Sequence, residues 1–261
     1  MVILEVFTVL IGASLGSFLN VCAYRMPLSM SVVHGRSFCP ACRRQLRWFE
    51  LVPIISFLSS RGKCRRCGSA VSASDFLVEL AAAAIPLVLL QCCGCSLLLL
   101  ETTAFLYTMI LVALVDWRTL RIPNSIIVAG FLSLLAVRAL LSPESILISL
   151  RDMVFAFSLP LLIAWLAKLW LRKEALGMGD VKLCALIGFS VGCIPFLFVF
   201  WFSAVLALVH AIIRRWRESS KSDDRLPFGT WLAAASTLLV LATTFGWIVP
   251  LNLVGVYVAL I

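Results

Sequence analysis

The sequence predicts an all-α, polytopic membrane protein with eight or nine spans and a small cytoplasmic zinc module that carries four cysteines. Of its 261 residues, 62% are hydrophobic and 13% are charged, and the mean hydropathy is +1.06. Soluble domains are nearer half apolar and one quarter charged, so a soluble enzyme and a disordered chain are both excluded. The other two observations are the spacing of the apolar runs and the concentration of basic residues between them.

The apolar runs define the predicted spans, at about 20 residues for each crossing. The first run has no basic segment before it and a strongly basic one after it, which indicates an anchor with its N-terminus outside rather than a cleaved signal peptide. The run at 181–192 is short for a full crossing and is either a half-helix or continuous with its neighbour. The runs are roughly 2–22, 76–91, 97–115, 125–141, 153–171, 181–192, 195–213, 227–243 and 246–261.

The basic residues lie on one side of this topology. Alternate loops carry 18 of the 22 Lys and Arg residues, whereas the opposite loops contain Arg151 alone. The positive-inside rule therefore predicts that the basic loops are cytoplasmic. Residues 25–67 supply +8 of the net charge of +9. No nucleic-acid-binding signature accompanies that charge, so we expect contact with anionic lipid heads and no nucleic-acid partner. The basic loops are 25–75, 116–124, 172–180 and 214–225.

The first cytoplasmic loop contains two Cys-x2-Cys pairs, Cys39/Cys42 and Cys64/Cys67. Two such pairs present four thiolates to one ion, which is typical of a closed tetrahedral zinc shell. Disulfides are disfavoured in a reducing cytoplasm. A closed shell leaves no position for water, so the spacing indicates structural rather than catalytic zinc. The neighbouring arginines are expected to lower the pKa of the thiols.

Two aspartates are candidates for catalysis. Asp116 ends the third run, and Asp180 follows Gly177-Met178-Gly179 immediately before the sixth. The predicted topology places both at cytoplasmic helix ends, where they can meet at one depth. Two adjacent carboxylates do not both ionise easily, so one can activate water while the other donates a proton. Either aspartate alone would be an ordinary interface residue.

Other residues in the apolar runs have simpler interpretations. Glu79 and Glu101 are expected to pack against a polar group of another span or to reach toward water. Gly12 and Gly16 form a G-x-x-x-G pattern, which favours close helix packing over a nucleotide site. We expect no role for His210, because no partner for it is evident.

An ordered set of motifs resembles one known family, the type 4 prepilin peptidases. Gly16-Ser-Phe-Leu-Asn20 through Pro27 resembles the family's first signature, and Cys39 to Cys67 resembles its zinc domain. Asp116 with the later Pro123-Asn124 resembles the first catalytic motif, and Gly177 to Leu183 resembles the second, G-x-G-D-x-K-L. Pro227-Phe228-Gly229 resembles a late motif.

The resemblance implies a bifunctional enzyme of the bacterial inner membrane. Its peptidase would use Asp116 and Asp180 to remove the basic leader of type 4 prepilins or type II secretion pseudopilins at the cytoplasmic face. Its methyltransferase would then methylate the new N-terminus with S-adenosylmethionine, whose binding residues are unknown. The implied organisation is a first transmembrane helix at 1–24, a zinc-binding loop domain at 25–75 and a peptidase domain at 76–261.

The chain departs from the family pattern at two places. Ser74-Asp75 stands where the family usually has Tyr-Pro, and Thr230 replaces a usual Pro after Gly229. Neither departure is expected to touch an aspartate. Three alternatives stay open: a peptidase without methyltransferase activity, another G-x-G-D intramembrane protease of the presenilin or signal-peptide-peptidase kind, and a non-enzymatic transporter or assembly factor.

Overall fold

The computed structural model describes residues 2–172, 176–217 and 226–246, and within them the chain is helical without strands. Eight helices correspond to the first eight predicted runs, and one short helix lies in the cysteine loop. The predicted ninth run, 246–261, lies outside the described residues apart from Gly246. The helices are α1 (Val2–Arg25), α2 (Ile55–Ser59), α3 (Ala73–Cys93), α4 (Leu97–Thr119), α5 (Asn124–Leu141), α6 (Ile146–Leu171), α7 (Met178–Val191), α8 (Cys193–Arg217) and α9 (Phe228–Thr244).

The chain forms two compact units, Met1–Cys95 and Ser96–Ile261. In the first unit α1 packs along α3, and the G-x-x-x-G pattern is the contact surface. A Cβ on Gly12 would lie 2.4 Å from the carbonyl oxygen of Ala82, and one on Gly16 would lie 2.9 Å from the Cα of Glu79. Only glycine allows this approach, so the helix-packing interpretation of the motif is confirmed.

Polar groups at the ends of α1 and α3 hold the loop between them. Arg25 is buried and donates hydrogen bonds to carbonyl oxygens of the following chain, those of Ser31, His34, Gly35 and Arg36. The carboxylate of Glu79 accepts a hydrogen bond from the backbone N–H of Ile54, at 2.8 Å. Ile54 has a positive φ of 64°, which is rare for a β-branched residue, so Glu79 stabilises a strained turn before α2.

The second unit is a bundle in which α4 packs against α5 and α9, α6 against α7, and α8 against α9. Among the described residues of this unit, the most buried charged side chain is that of Arg138 of α5, which is 3% exposed. Its guanidinium donates to the carboxylate of Glu101, to the Ser149 hydroxyl and to the carbonyl oxygens of Phe189 and Ser190. Arg138 therefore joins four helices, and Glu101 packs against a polar group of another span, as predicted.

Six described helices are long and apolar enough to cross a membrane: α1, α3, α4, α5, α6 and α8. The chain is therefore multi-pass, but the predicted count of eight or nine spans is not confirmed. Helix α7 has 14 residues and α9 has 17. At 1.5 Å per residue α7 is about 21 Å long, which is less than the hydrocarbon thickness of about 30 Å.

Candidate functional site

The candidate site is built from helix ends of the second unit. Asp116 lies in the last turn of α4 and is only 4% exposed. Asp180 lies in the first turn of α7, and Gly177, the residue immediately before the helix, has an extended backbone. Because α7 begins at the level where α4 ends, the two carboxyl groups come to one place although they are 64 positions apart in the sequence.

Gly229, in the first turn of α9, lies between the two aspartates. A Cβ at this position would lie 3.1 Å from Asp116 Oδ2 and 3.1 Å from Asp180 Oδ1. The two oxygens are therefore no farther apart than twice that distance. The predicted proximity of Asp116 and Asp180 is thus observed, and it depends on a residue without a side chain.

Ile122 also lies at this junction, although no sequence motif singles it out. Its Cδ1 lies 2.7 Å from the position of a Cβ on Gly229, and its Cβ lies 3.3 Å from that of one on Gly179. The side chain therefore packs against glycines of two motifs, the one before Asp180 and the one at the start of α9. Ile122 precedes Pro123-Asn124, so the segment after α4 acts as a spacer between α7 and α9.

Thr230 contacts the catalytic candidate Asp116 directly, which the sequence analysis did not expect. Its backbone N–H donates to Asp116 Oδ2 at 2.7 Å, and its hydroxyl lies 3.0 Å from the same oxygen. The expectation that neither departure touches an aspartate is therefore wrong for Thr230. The physical reason is that the first backbone N–H groups of a helix lack intrahelical acceptors, and the Asp116 carboxylate supplies one to α9.

An aromatic cluster joins the residue that follows Asp116 to the residue that follows Thr230. The ring of His210 on α8 stacks on Trp117 with centroids 5.7 Å apart, and it packs at 5.3 Å against Trp231. Trp117 follows Asp116 and Trp231 follows Thr230. His210, to which the sequence assigned no partner, thus holds the end of α4 beside the start of α9.

Lys182 ties the second aspartate motif to the segment after the first. Its ammonium group donates to the side-chain oxygen of Asn124 at 2.8 Å. Lys182 lies two residues after Asp180, and Asn124 begins α5. The G-x-G-D-x-K and Pro-Asn motifs therefore share a contact, which helps to fix α7 relative to α5.

The four predicted metal ligands meet in the first unit. The Sγ atoms of Cys39, Cys42, Cys64 and Cys67 all lie within 4.8 Å of one another, and those of Cys39 and Cys67 are 3.9 Å apart. Four thiolates at about 2.3 Å from a tetrahedral zinc ion are about 3.8 Å apart. The cluster could hold a metal ion, and its dimensions fit zinc.

The two Cys-x2-Cys pairs have matching backbone geometry. An isolated bridge joins Phe38 to Gln45 across the first pair, and another joins Lys63 to Ala70 across the second. In each, the N–H of the residue after the second cysteine bonds the carbonyl oxygen of the first cysteine. Those two residues, Arg43 and Gly68, both have positive φ, 56° and 72°. The repeated turn directs two pairs of sulfur atoms toward one point.

The turn backbone favours thiolates at Cys39 and Cys64, whose pKa values are lowered, whereas the pKa of Cys42 is raised. Backbone hydrogen bonds from Cys67 and Arg66 lower the pKa of Cys64 to about 6. The main cause is thus the turn backbone rather than the arginine charges that the sequence suggests. Arg44 forms a bidentate ion pair with Glu50, at 3.0 and 2.6 Å, and this pair lowers the pKa of Glu50.

Fold and site together define a multi-pass membrane protein with two neighbouring aspartates in its helical bundle and a separate four-cysteine cluster. Comparison with known families agrees with this class. Residues 103–212 match the model of the type IV leader peptidase family, and residues 10–93 match that of the bacterial peptidase A24 N-terminal domain. The chain belongs to the type IV leader peptidase family, so the resemblance predicted from its motifs is confirmed.

Several similar proteins carry the name prepilin leader peptidase/N-methyltransferase. That of Bacillus subtilis is 35% identical over 231 residues, which are 88% of this chain and 91% of the relative. That of Klebsiella pneumoniae is 31% identical over 196 residues, 71% of this chain and 84% of the relative. That of Vibrio cholerae is 29% identical over 223 residues, 79% of this chain and 85% of the relative. No solved structure matches the chain.

Proposed function

We propose that the chain is an aspartic endopeptidase that removes the leader of type 4 prepilins or type II secretion pseudopilins. The observation that carries this proposal is that Asp116 Oδ2 and Asp180 Oδ1 lie equally far from the position that a Cβ on Gly229 would occupy. Family membership and the names of the relatives support the same reaction. The proposed place is the cytoplasmic face of the inner membrane, where the basic loops would lie.

In this reaction one carboxylate takes a proton from water while the other protonates the scissile carbonyl oxygen. The hydroxyl oxygen bonds to the carbonyl carbon, and the tetrahedral intermediate then releases the leaving amine. The exposed Gly177 allows a peptide backbone to approach Asp180, because glycine has no side chain to obstruct it. The buried position of Asp116 limits the access of bulk water to its carboxyl group.

The names of the relatives also support N-methylation of the new N-terminal residue. S-adenosylmethionine would supply the methyl group when bound. Among the described residues we assign none to its binding, so the methyltransferase part rests on similarity. A peptidase without this second activity is the alternative.

The metal proposed for the cysteine cluster is zinc, held by Cys39, Cys42, Cys64 and Cys67. Thiolates are its preferred structural ligands, and the spacing of the sulfur atoms fits a tetrahedral shell. Four protein ligands leave no open position, so the proposed role is to fold the loop. The proposed domains are those predicted from the sequence: a first helix at 1–24, a loop domain at 25–75 and a peptidase domain at 76–261. We propose that the basic loop domain also contacts lipid and that the chain has no nucleic-acid partner.

A G-x-G-D intramembrane protease of another kind would share the aspartate pair. The four-cysteine cluster and the match of residues 10–93 favour the prepilin peptidase over it. A non-enzymatic transporter or assembly factor would not require both carboxylates.

The test is co-expression with a prepilin, using Asp116→Asn, Asp180→Asn and the matched control Asp152→Asn. Asp152 is a buried aspartate of α6 that pairs with Arg151. We expect each of the first two variants to lose leader removal almost completely while the control retains it. Mass spectrometry of the pilin N-terminus reads out cleavage and methylation separately. Normal cleavage by a folded Asp116 or Asp180 variant would contradict the assignment.

A further inference from the structure

The two aspartates of the pair have different surroundings. Asp116 is 4% exposed and receives two contacts from Thr230, both at Oδ2. Asp180 is partly exposed and contacts the backbone of Gly177. A pair that shares one proton needs such a difference if the acid and base roles are to be fixed.

The Thr230 contacts favour the ionised form of Asp116. A backbone N–H can only donate, so at 2.7 Å it requires an acceptor at Oδ2 and opposes a proton on that oxygen. The hydroxyl at 3.0 Å can donate to the second lone pair. Hydrogen bonds to a charged acceptor are stronger than those to a neutral one, so both contacts stabilise the carboxylate. The N-terminal end of α9 adds a partial positive charge.

We propose that Thr230 is a positioning residue that keeps Asp116 ionised and so fixes which aspartate is the acid and which the base; this inference rests on the proposed function. Asp116 is then the base and Asp180 the acid. Asp116 takes a proton from water as the oxygen bonds to the carbonyl carbon, and Asp180 donates its proton to the carbonyl oxygen. When the C–N bond breaks, Asp116 returns its proton to the amine and Asp180 regains one from the hydroxyl.

A purely structural role for Thr230 makes a different prediction. The hydroxyl also lies 3.4 Å from the carbonyl oxygen of Ala113, to which it can donate its one proton instead and so join α9 to α4. If that were its only role, removing it would reduce activity equally at every pH. If Thr230 stabilises the ionised base, its removal lets a proton bind the base at higher pH. The acid limb of the pH–activity profile then moves to higher pH.

The experiment measures kcat and KM against pH for detergent-purified enzyme and a synthetic prepilin peptide. Thr230→Val removes the hydroxyl and keeps the N–H, Thr230→Ser keeps both donors, and Thr230→Pro removes both in the first turn, where proline is tolerated. Thr243→Val is the matched control, because within the described residues that hydroxyl bonds the carbonyl oxygen of Val240 of its own helix, at 2.8 Å.

We expect Thr230→Val to move the acid midpoint of kcat up by about one pH unit, the size expected for losing one hydrogen bond to a carboxylate. Thr230→Pro should move it farther, whereas Thr230→Ser and Thr243→Val should match the wild type. An unchanged midpoint in Thr230→Val and Thr230→Pro would overturn the role of Thr230. Absence of cleavage by the wild-type enzyme at any pH would instead contradict the proposed function.

Discussion

Gly229 is the residue at which the two aspartates approach each other, and its missing side chain sets their separation. A methyl group there would contact an oxygen of each carboxylate at 3.1 Å and the Cδ1 of Ile122 at 2.7 Å. A contact of 2.7 Å with the end of a flexible side chain is relieved by a small rotation. The carboxylates cannot retreat as easily, because Asp116 is held by Thr230 and Asp180 by the first turn of α7.

We therefore expect Gly229→Ala to reduce kcat by about 100-fold, the cost of a displacement near 1 Å at reacting groups. The fold should survive, which thermal unfolding in detergent would show. The double variant Gly229→Ala/Ile122→Val separates the two contacts, because valine lacks the Cδ1 atom. Activity should stay low in the double variant; recovery to the wild-type rate would show that Ile122, not the carboxylates, is displaced.

The residues that the sequence predicted and those that it missed differ in kind. Asp116, Asp180 and the four cysteines stand in recognisable motifs, so a single chain was sufficient to predict that each set comes together. Ile122, Thr230 and His210 act through contacts between residues far apart in sequence, for example Thr230 with Asp116 across 114 positions. Departure from the family pattern at Thr230 was the one available signal, and it indicated the position but not the contact.

At the scale of elements, the cysteine loop lacks an apolar core of its own. Within residues 26–72, Cys39 is the one buried residue, whereas Trp48, Ile55 and Leu58 are exposed. Apolar burial therefore cannot fold this segment, and the metal cluster would be its centre. Structural zinc contributes on the order of 10 kcal/mol in small modules.

Cys39→Ser should consequently lose bound zinc and make the loop sensitive to limited proteolysis. Zinc content is measured by elemental mass spectrometry of the purified protein, and Cys95→Ser is the control because Cys95 is an exposed thiol outside the cluster. Unchanged zinc in Cys39→Ser would contradict the four-thiolate shell. Zinc loss that leaves the loop resistant to protease would show that other contacts fold it.

Helix α7 shows why helices were easier to predict than membrane crossings. Its first turn lies beside the C-terminal end of α4 through Asp180, and its last turn reaches Glu101, near the N-terminal end of α4, through Arg138. Its 14 residues are thus linked to α4 near both ends, although α7 packs mainly against α6. A Cβ on Gly188 of α7 would lie 2.9 Å from the carbonyl oxygen of Asp152 of α6, so the two helices pack closely there. Apolar runs reveal a helix, but this contact and those of Arg138 depend on tertiary packing.

At the scale of the whole molecule, the distribution of charge gives a prediction about sidedness. The topology predicted from the basic loops would place Asp116 and Asp180 at the cytoplasmic face. It also places the segment after α3, which contains the exposed Cys95, on the opposite face. Prepilin leaders can be cut only if the aspartates lie on the side where the leaders are, so the proposed function depends on this orientation.

Labelling of single cysteines in spheroplasts tests the orientation. In a chain with Cys92, Cys93 and Cys95 changed to serine, restoring Cys95 should give labelling by a membrane-impermeant maleimide. Arg121→Cys, at an exposed position five residues after Asp116, should be labelled only after lysis. The same background without either cysteine measures labelling of the metal-binding thiols. A reversed pattern would place the aspartates outside and would exclude cytoplasmic leader cleavage, because no packing contact in the bundle can compensate for a substrate on the wrong side.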